Sequence, residues 1–249
     1  MRAAGLAPSP LFLLLLAATV IGGVLAALGT GTARTAGIVL LVLGGWAVSL
    51  CVHEFGHALT AYRGGDRSVR AKGYLTLDIR RYTDVAMSLL LPLLFLALGG
   101  IPLPGAAVWI DRAALRSRAV ISAVSLAGPL SNLVLGAALA AAVAASAPPD
   151  GLAAGLSYLA LVQVFAFVLN ILPVPGLDGY GVLEPYLPAR ARQFFSGLGW
   201  SAPLLLFMVI LLVPPVSLAL LNASTMIFSA LGGDPLTAFT GLQEFMFWR

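Results

Sequence analysis

The chain has 249 residues, 60% hydrophobic and 10% charged, with a mean hydropathy of +0.99. Soluble domains carry about 25% charged residues, so this balance excludes a soluble globular chain and points to a membrane protein. The net charge of +4 carries no nucleic-acid signature, and a single cysteine, Cys51, excludes an internal disulfide.

A membrane-spanning helix needs about 20 apolar residues. Residues 11–28 meet that requirement. Arg2 ahead of them resembles the start of a secretory signal, but the run is long for one and no small-x-small cleavage site follows, so a retained helix is expected. Residues 36–62 form the second run, and its C-terminal half carries His53, Glu54 and His57. Residues 63–84 are polar and basic. Within them Tyr74-Leu75-Thr76-Leu77-Asp78-Ile79-Arg80 alternates with period two and predicts a short strand. Residues 85–110 are apolar but interrupted by Pro92, Gly99, Gly100, Pro102, Pro104 and Gly105. Residues 119–146 and 152–172 are further spans, the second ending in Pro173-Val174-Pro175-Gly176-Leu177-Asp178-Gly179. Residues 200–221 are the last clear span, and the mildly apolar tail 222–249 is expected in the interface. There is no internal repeat, low-complexity linker or attached soluble domain. The organisation reads as an N-terminal transmembrane helix (1–35), a catalytic membrane core (36–182), and a C-terminal transmembrane helix and tail (183–249).

The chemistry is concentrated in His53-Glu54-Phe55-Gly56-His57. Residues four apart share one face of a helix, so His53 and His57 can hold one metal, with Glu54 beside it to take a proton from water. These are the only two histidines, and Glu54 is the only acidic residue before Asp66. An ionisable residue inside an apolar run costs several kcal/mol unless paired or functional. A catalytic zinc site uses three protein ligands plus water. No histidine remains, so the third ligand is Asp, Glu or Cys. Asp178 is the leading candidate, because it follows a broken helix of the kind tolerated where it lines a protein cavity. Asp178-Gly179 also reads as a plain surface turn. Glu184 and Asp66 are weaker competitors. Cys51, two residues before His53, is either a thiolate ligand or a small buried apolar residue.

The chain resembles the site-2 protease family of intramembrane zinc metalloproteases. The resemblance rests on His53-Glu54-Phe55-Gly56-His57 and on Asn170-Ile171-Leu172-Pro173-Val174-Pro175-Gly176-Leu177-Asp178-Gly179, in that order, with Ala127-Gly128-Pro129-Leu130-Ser131-Asn132 between them. It implies one Zn2+ per chain held by His53, His57 and Asp178, with Glu54 as general base. It further implies that Asn170 contacts substrate or the oxyanion, and that the substrates are membrane proteins. Asn132 is expected to pack, with Gly128 and Ser131 allowing close helix approach.

Such a site imposes a topology. His53, His57 and Asp178 lie near the C-terminal ends of their helices, so those helices must run in the same direction. The one full span between them, 119–146, satisfies this only if 85–110 does not cross, and it is therefore expected to be re-entrant. Basic residues then divide twelve to two, with Arg2, Arg63, Arg67, Arg70, Lys72, Arg80, Arg81, Arg112, Arg116, Arg118, Arg190 and Arg192 on the histidine side. A crossing segment would give eight to six. The positive-inside rule favours the first arrangement and sets the site near the cytoplasmic face of the cell membrane. The expected fold is an all-α polytopic membrane protein with about five transmembrane helices, a re-entrant segment and a short cytoplasmic-side β element. The expected function is hydrolysis of peptide bonds of membrane proteins within the bilayer. A non-catalytic membrane scaffold and a transporter with a broken helix are the competing readings.

Overall fold

A computed structural model describes residues 7–82, 108–198 and 201–248. The first helix, α1 (Pro10–Leu28), starts where Ser9 caps it. The Ser9 hydroxyl accepts the N–H of Phe12 at 3.1 Å, and Pro10 occupies the first helical position, where its missing N–H costs nothing. A short turn leads into α2 (Thr32–Gly64), whose 33 residues extend about 50 Å. That exceeds the roughly 30 Å hydrocarbon thickness. The two helices touch backbone to backbone. A Cβ on Gly22 would lie 2.4 Å from the Leu41 nitrogen, and one on Gly37 would lie 2.4 Å from the Ala26 nitrogen. Small residues at such crossings are the usual means of packing helices in lipid.

Beyond α2 the chain forms a compact polar cap: α3 (Ser68–Ala71) and two 3-10 turns, Tyr74–Thr76 and Ile79–Arg81. The expected β element is absent, and no strand occurs among the described residues. Gly73 (φ 78°) and Leu77 (φ 56°) both take left-handed backbone, which reverses the chain before and after Tyr74–Thr76 and breaks an extended run. The alternating residues instead bury Tyr74, Leu75 and Ile79 against α2.

Helix α4 (Arg118–Ser146), capped by Ser117, runs antiparallel to α2, since His57 meets Val124 while His53 meets Asn132. Helix α5 (Asp150–Asn170) reverses again and lies at the centre, buried nearly all round. It therefore runs parallel to α2, as the third-ligand argument requires. After a turn come α6 (Asp178–Leu183) and α7 (Ala189–Leu198), then α8 (Ser201–Leu212), α9 (Pro214–Ala230) and α10 (Pro235–Phe245).

Helices α1, α2, α4 and α5 are long and apolar enough to cross a membrane. The expected single span at 200–221 is instead the pair α8–α9, bent by 95°, which adds a fifth span if the pair is one broken crossing. Pro214 and Pro215 cause the break: neither has an N–H to continue the α8 ladder, and both fit the start of a new helix. Helix α10 packs on α5, with Gly241 against the Ala154 carbonyl, and Glu244 holds Arg34 of α2 in a two-pronged ion pair at 2.9 and 2.5 Å. The expected re-entrant segment 85–110 lies, from 85 to 107, outside the described residues. Its flanks meet α2 within one turn of each other: the Tyr82 hydroxyl donates to the Cys51 carbonyl at 3.4 Å and the Val108 N–H to Glu54 Oε2 at 3.1 Å.

Candidate metal centre

The helical repeat of α2 puts Trp46, Leu50, His53 and His57 on one side, facing a cavity of about 710 Å³. His53, Glu54 and His57 are all buried, Glu54 to within 1% of complete burial. The third group arrives from α5 by a tight return. Ile171 through Leu177 fold back over the helix end, with Gly176 at φ 92°, so that Asp178 opens α6, which packs against α4. Gly179 permits the approach, because a Cβ there would lie 2.1 Å from the Ile171 carbonyl oxygen.

Three donors then converge. His53 Nε2 lies 3.2 Å from Asp178 Oδ2, His57 Nε2 3.3 Å from Asp178 Oδ1, and the two Nε2 atoms are 3.1 Å apart. The Nδ1–H of His57 donates to the Val124 carbonyl at 2.7 Å, and that of His53 donates to Asn132 Oδ1 at 2.5 Å. With both Nδ1 atoms protonated, each neutral ring turns a bare lone pair on Nε2 inward. Two lone pairs and a carboxylate facing one another repel unless a cation lies between them. Zinc at about 2.0–2.1 Å from tetrahedral ligands sets them about 3.3 Å apart; the two Nε2 atoms are near that separation, and each has one Asp178 oxygen at a similar distance, Oδ2 for His53 and Oδ1 for His57. Space is present too. A Cβ on Gly128 would lie 2.2 Å from His57 Nε2 and 2.5 Å from His53 Nε2, so the missing side chain leaves room at coordination distance.

The other candidate ligands are engaged elsewhere. Glu184 pairs with Arg112 at the cavity mouth. Asp66 accepts the backbone N–H groups of Ser68 and Asp111 at 2.9 and 2.8 Å. Cys51 is fully buried in the apolar core. Among the described residues, His53, His57 and Asp178 are the group of His, Cys, Asp and Glu donors placed to hold one ion. Asn170 is buried and lines the same cavity as the histidines. The sequence reading missed how Val124, Gly128 and Asn132 serve the site. Their spacing of four along α4 was the available signal, but it says nothing about which helix that face meets. It also missed that the Val108 N–H occupies one oxygen of Glu54, a contact across 54 residues of chain.

A donor set of two histidines and one carboxylate, with a further carboxylate alongside, buried in a bundle of membrane-length helices, defines a membrane protein built around a zinc-type site. The chain is 48% identical over 213 residues to "Putative zinc metalloprotease Rip2" of Mycobacterium tuberculosis, covering 84% of this chain and 81% of that one. It is 46% identical over 214 residues to the protein of the same name from Mycolicibacterium smegmatis, with the same coverage. It is 30% identical over 178 residues to "Putative zinc metalloprotease YwhC" of Bacillus subtilis, covering 67% of this chain and 78% of that one. No family model and no solved structure matches. The chain belongs to the site-2 protease family. It is a zinc metalloprotease, with zinc as its cofactor.

Proposed function

We propose that this protein hydrolyses peptide bonds of membrane-protein substrates within or near their transmembrane segments, using His53, His57 and Asp178 as zinc ligands. The observation that carries the reading is the convergence of these donors at 3.1–3.3 Å inside the helical bundle. Their depth fits it: His53 lies ten residues, about 15 Å, below the Arg63 end of α2. The bound zinc makes water nucleophilic near neutral pH and polarises the scissile carbonyl. Glu54 has one carboxylate oxygen held by the Val108 N–H. The other, which has no hydrogen-bond partner among the described residues, takes the proton of the attacking water and returns it to the leaving amine. Asn170 supplies an amide to the oxyanion from the cavity wall. A substrate helix must unwind locally, since its carbonyls are already hydrogen-bonded. The basic residues of the polar cap support an orientation with this end of the bundle at the cytoplasmic face of the cell membrane.

The test uses purified protein in detergent and a single-span substrate. Wild type is expected to hold about one zinc per chain and to cleave. Glu54→Gln should keep the zinc and lose cleavage, and Asp178→Ala should lose both. Wild type that binds no zinc when it is offered would overturn the ligand set. Full cleavage by Glu54→Gln would remove Glu54 as the base.

A further inference from the structure

Helix α4 contributes no ligand, yet one face of it serves both imidazoles. Val124, Gly128 and Asn132 are spaced by four residues and therefore stack along that face. The Val124 carbonyl fixes His57. Because the acceptor is main chain, no side-chain replacement at that position removes it. His53 is fixed differently. Its Nδ1–H donates to Asn132 Oδ1 at 2.5 Å, and Asn132 Nδ2 donates in turn to Gln163 Oε1 on α5 at 2.7 Å. Asn132 and Gln163 are each 1% exposed. The chain of bonds ends at Gln163 Nε2, a buried donor with no partner among the described residues.

The order of the donors matters. An amide has two unlike ends. With its NH2 towards His53, Asn132 would face an N–H with an N–H, and the imidazole could escape only by moving its proton to Nε2. That proton would point at His57 Nε2 and Asp178, and the donor set would be lost. With Gln163 Oε1 accepting from the NH2 end of Asn132, Oδ1 is the end left to face His53. An unpartnered buried donor is a loss that an apolar residue would avoid, and the bond that Gln163 does make goes to Asn132.

We infer that Asn132 and Gln163 form a relay that sets the tautomer and orientation of His53 as a zinc ligand. Asn132 is the positioning residue for His53, and Gln163 selects which end of Asn132 faces the ring. The inference rests on the reading of His53 as a ligand. Outer partners of ligating histidines alter metal affinity by about 10- to 100-fold.

The experiment measures zinc affinity by chelator competition on the full chain in detergent. Asn132→Leu should weaken zinc binding by about 10- to 100-fold. Asn132→Asp should restore most of the affinity, since a carboxylate oxygen accepts the same Nδ1–H. Gln163→Leu should weaken binding less, and should add nothing in an Asn132→Leu background. The zinc-free protein gives a second readout. With only two histidines, 15N labelling resolves both rings, and Gln163→Leu should add an Nε2–H population at His53 while leaving His57 unchanged. Wild type that binds zinc while Asn132→Leu binds it equally well would overturn the relay and leave the ligand set standing. An unchanged His53 tautomer in Gln163→Leu would remove Gln163 from it. Wild type that binds no zinc would bring down the ligand reading, and the relay with it.

Discussion

A single methyl group at Gly128 is expected to decide whether an ion fits. Its Cβ would stand 2.2 and 2.5 Å from the two Nε2 atoms, in the space that a ligated zinc needs. Gly56 is a useful contrast: it lies on α2 between His53 and His57, yet the nearest atoms to a Cβ there would be the Ala127 carbonyl at 3.0 Å and the Ser131 hydroxyl at 3.2 Å, and a small shift of α4 relieves both. Alanine is the better helix former by about 1 kcal/mol, so neither change weakens its helix through propensity. Gly128→Ala is therefore expected to keep its helical circular dichroism and hold less than about a tenth of the wild-type zinc, because its Cβ competes with an ion bound at about 2.0–2.1 Å. Gly56→Ala should keep most of it. Full zinc occupancy in Gly128→Ala would mean that the ion sits elsewhere. The His-Glu-x-x-His spacing was legible because it is local to one helix. The role of Gly128 was not, because it depends on which face of α4 meets α2.

Among the elements, the segment from Val108 to Leu115 is held across the cavity mouth by contacts at separate points. The Val108 N–H donates to Glu54, Lys72 Nζ to the Trp109 carbonyl at 2.9 Å, the Asp111 N–H to Asp66 at 2.8 Å, and the Arg116 N–H to the Gly64 carbonyl at 3.2 Å. Asp66 anchors the middle. Burial pushes its carboxyl up, but Ser68, the Asp111 N–H and Lys72 outweigh burial and hold it below the ordinary value. A depressed carboxylate contributes its stability above the unfolded value of about 3.9 and loses it as pH falls through the lower folded value. The segment should thus stay docked at pH 5 and loosen only in stronger acid. Removing an ionised acceptor costs about 1.5–3 kcal/mol. Asp66→Ala is accordingly expected to speed hydrogen exchange of the Asp111 amide by about 10- to 100-fold at neutral pH, read by mass spectrometry. Unchanged exchange would show that the other contacts suffice. None of these contacts was visible in the sequence, since they join points far apart in the chain. The period-two pattern at 74–80 misled for a related reason. Alternation reports which side chains are buried, and two residues in left-handed backbone, Gly73 and Leu77, let 3-10 turns bury the same side chains.

For the whole molecule, the long apolar runs and the third-ligand parity were readable because length and hydropathy are properties of single helices, whereas the Pro214-Pro215 break needed attention to one dipeptide inside an otherwise apolar run. The two ends of the described chain then give orientation without counting spans. The Ser9 N–H donates to the Thr76 carbonyl at 2.8 Å, which ties the start of α1 to the polar cap on the histidine side. Glu244, near the other end, pairs with Arg34 at the start of α2. Arg34 lies 19 residues before His53 on a continuous helix, about 28 Å away. The described ends therefore lie at opposite ends of the bundle, as they would if the α8–α9 pair completes a fifth crossing. Arg63 in the last turn of α2 and Arg67, Arg70, Lys72, Arg80 and Arg81 after it lie on the histidine side against Arg34 on the other, and the positive-inside rule predicts that the more basic side faces the cytoplasm. A Cys51→Ala background frees the chain of its one thiol for labelling. With a membrane-impermeant maleimide on intact cells, Thr32→Cys and Gln243→Cys should react, while Ala71→Cys should react only after permeabilisation. The reverse pattern would turn the site to the outer face. Labelling of Thr32→Cys and Gln243→Cys from opposite sides would mean that the α8–α9 pair does not complete a crossing, and the odd count would fail with it.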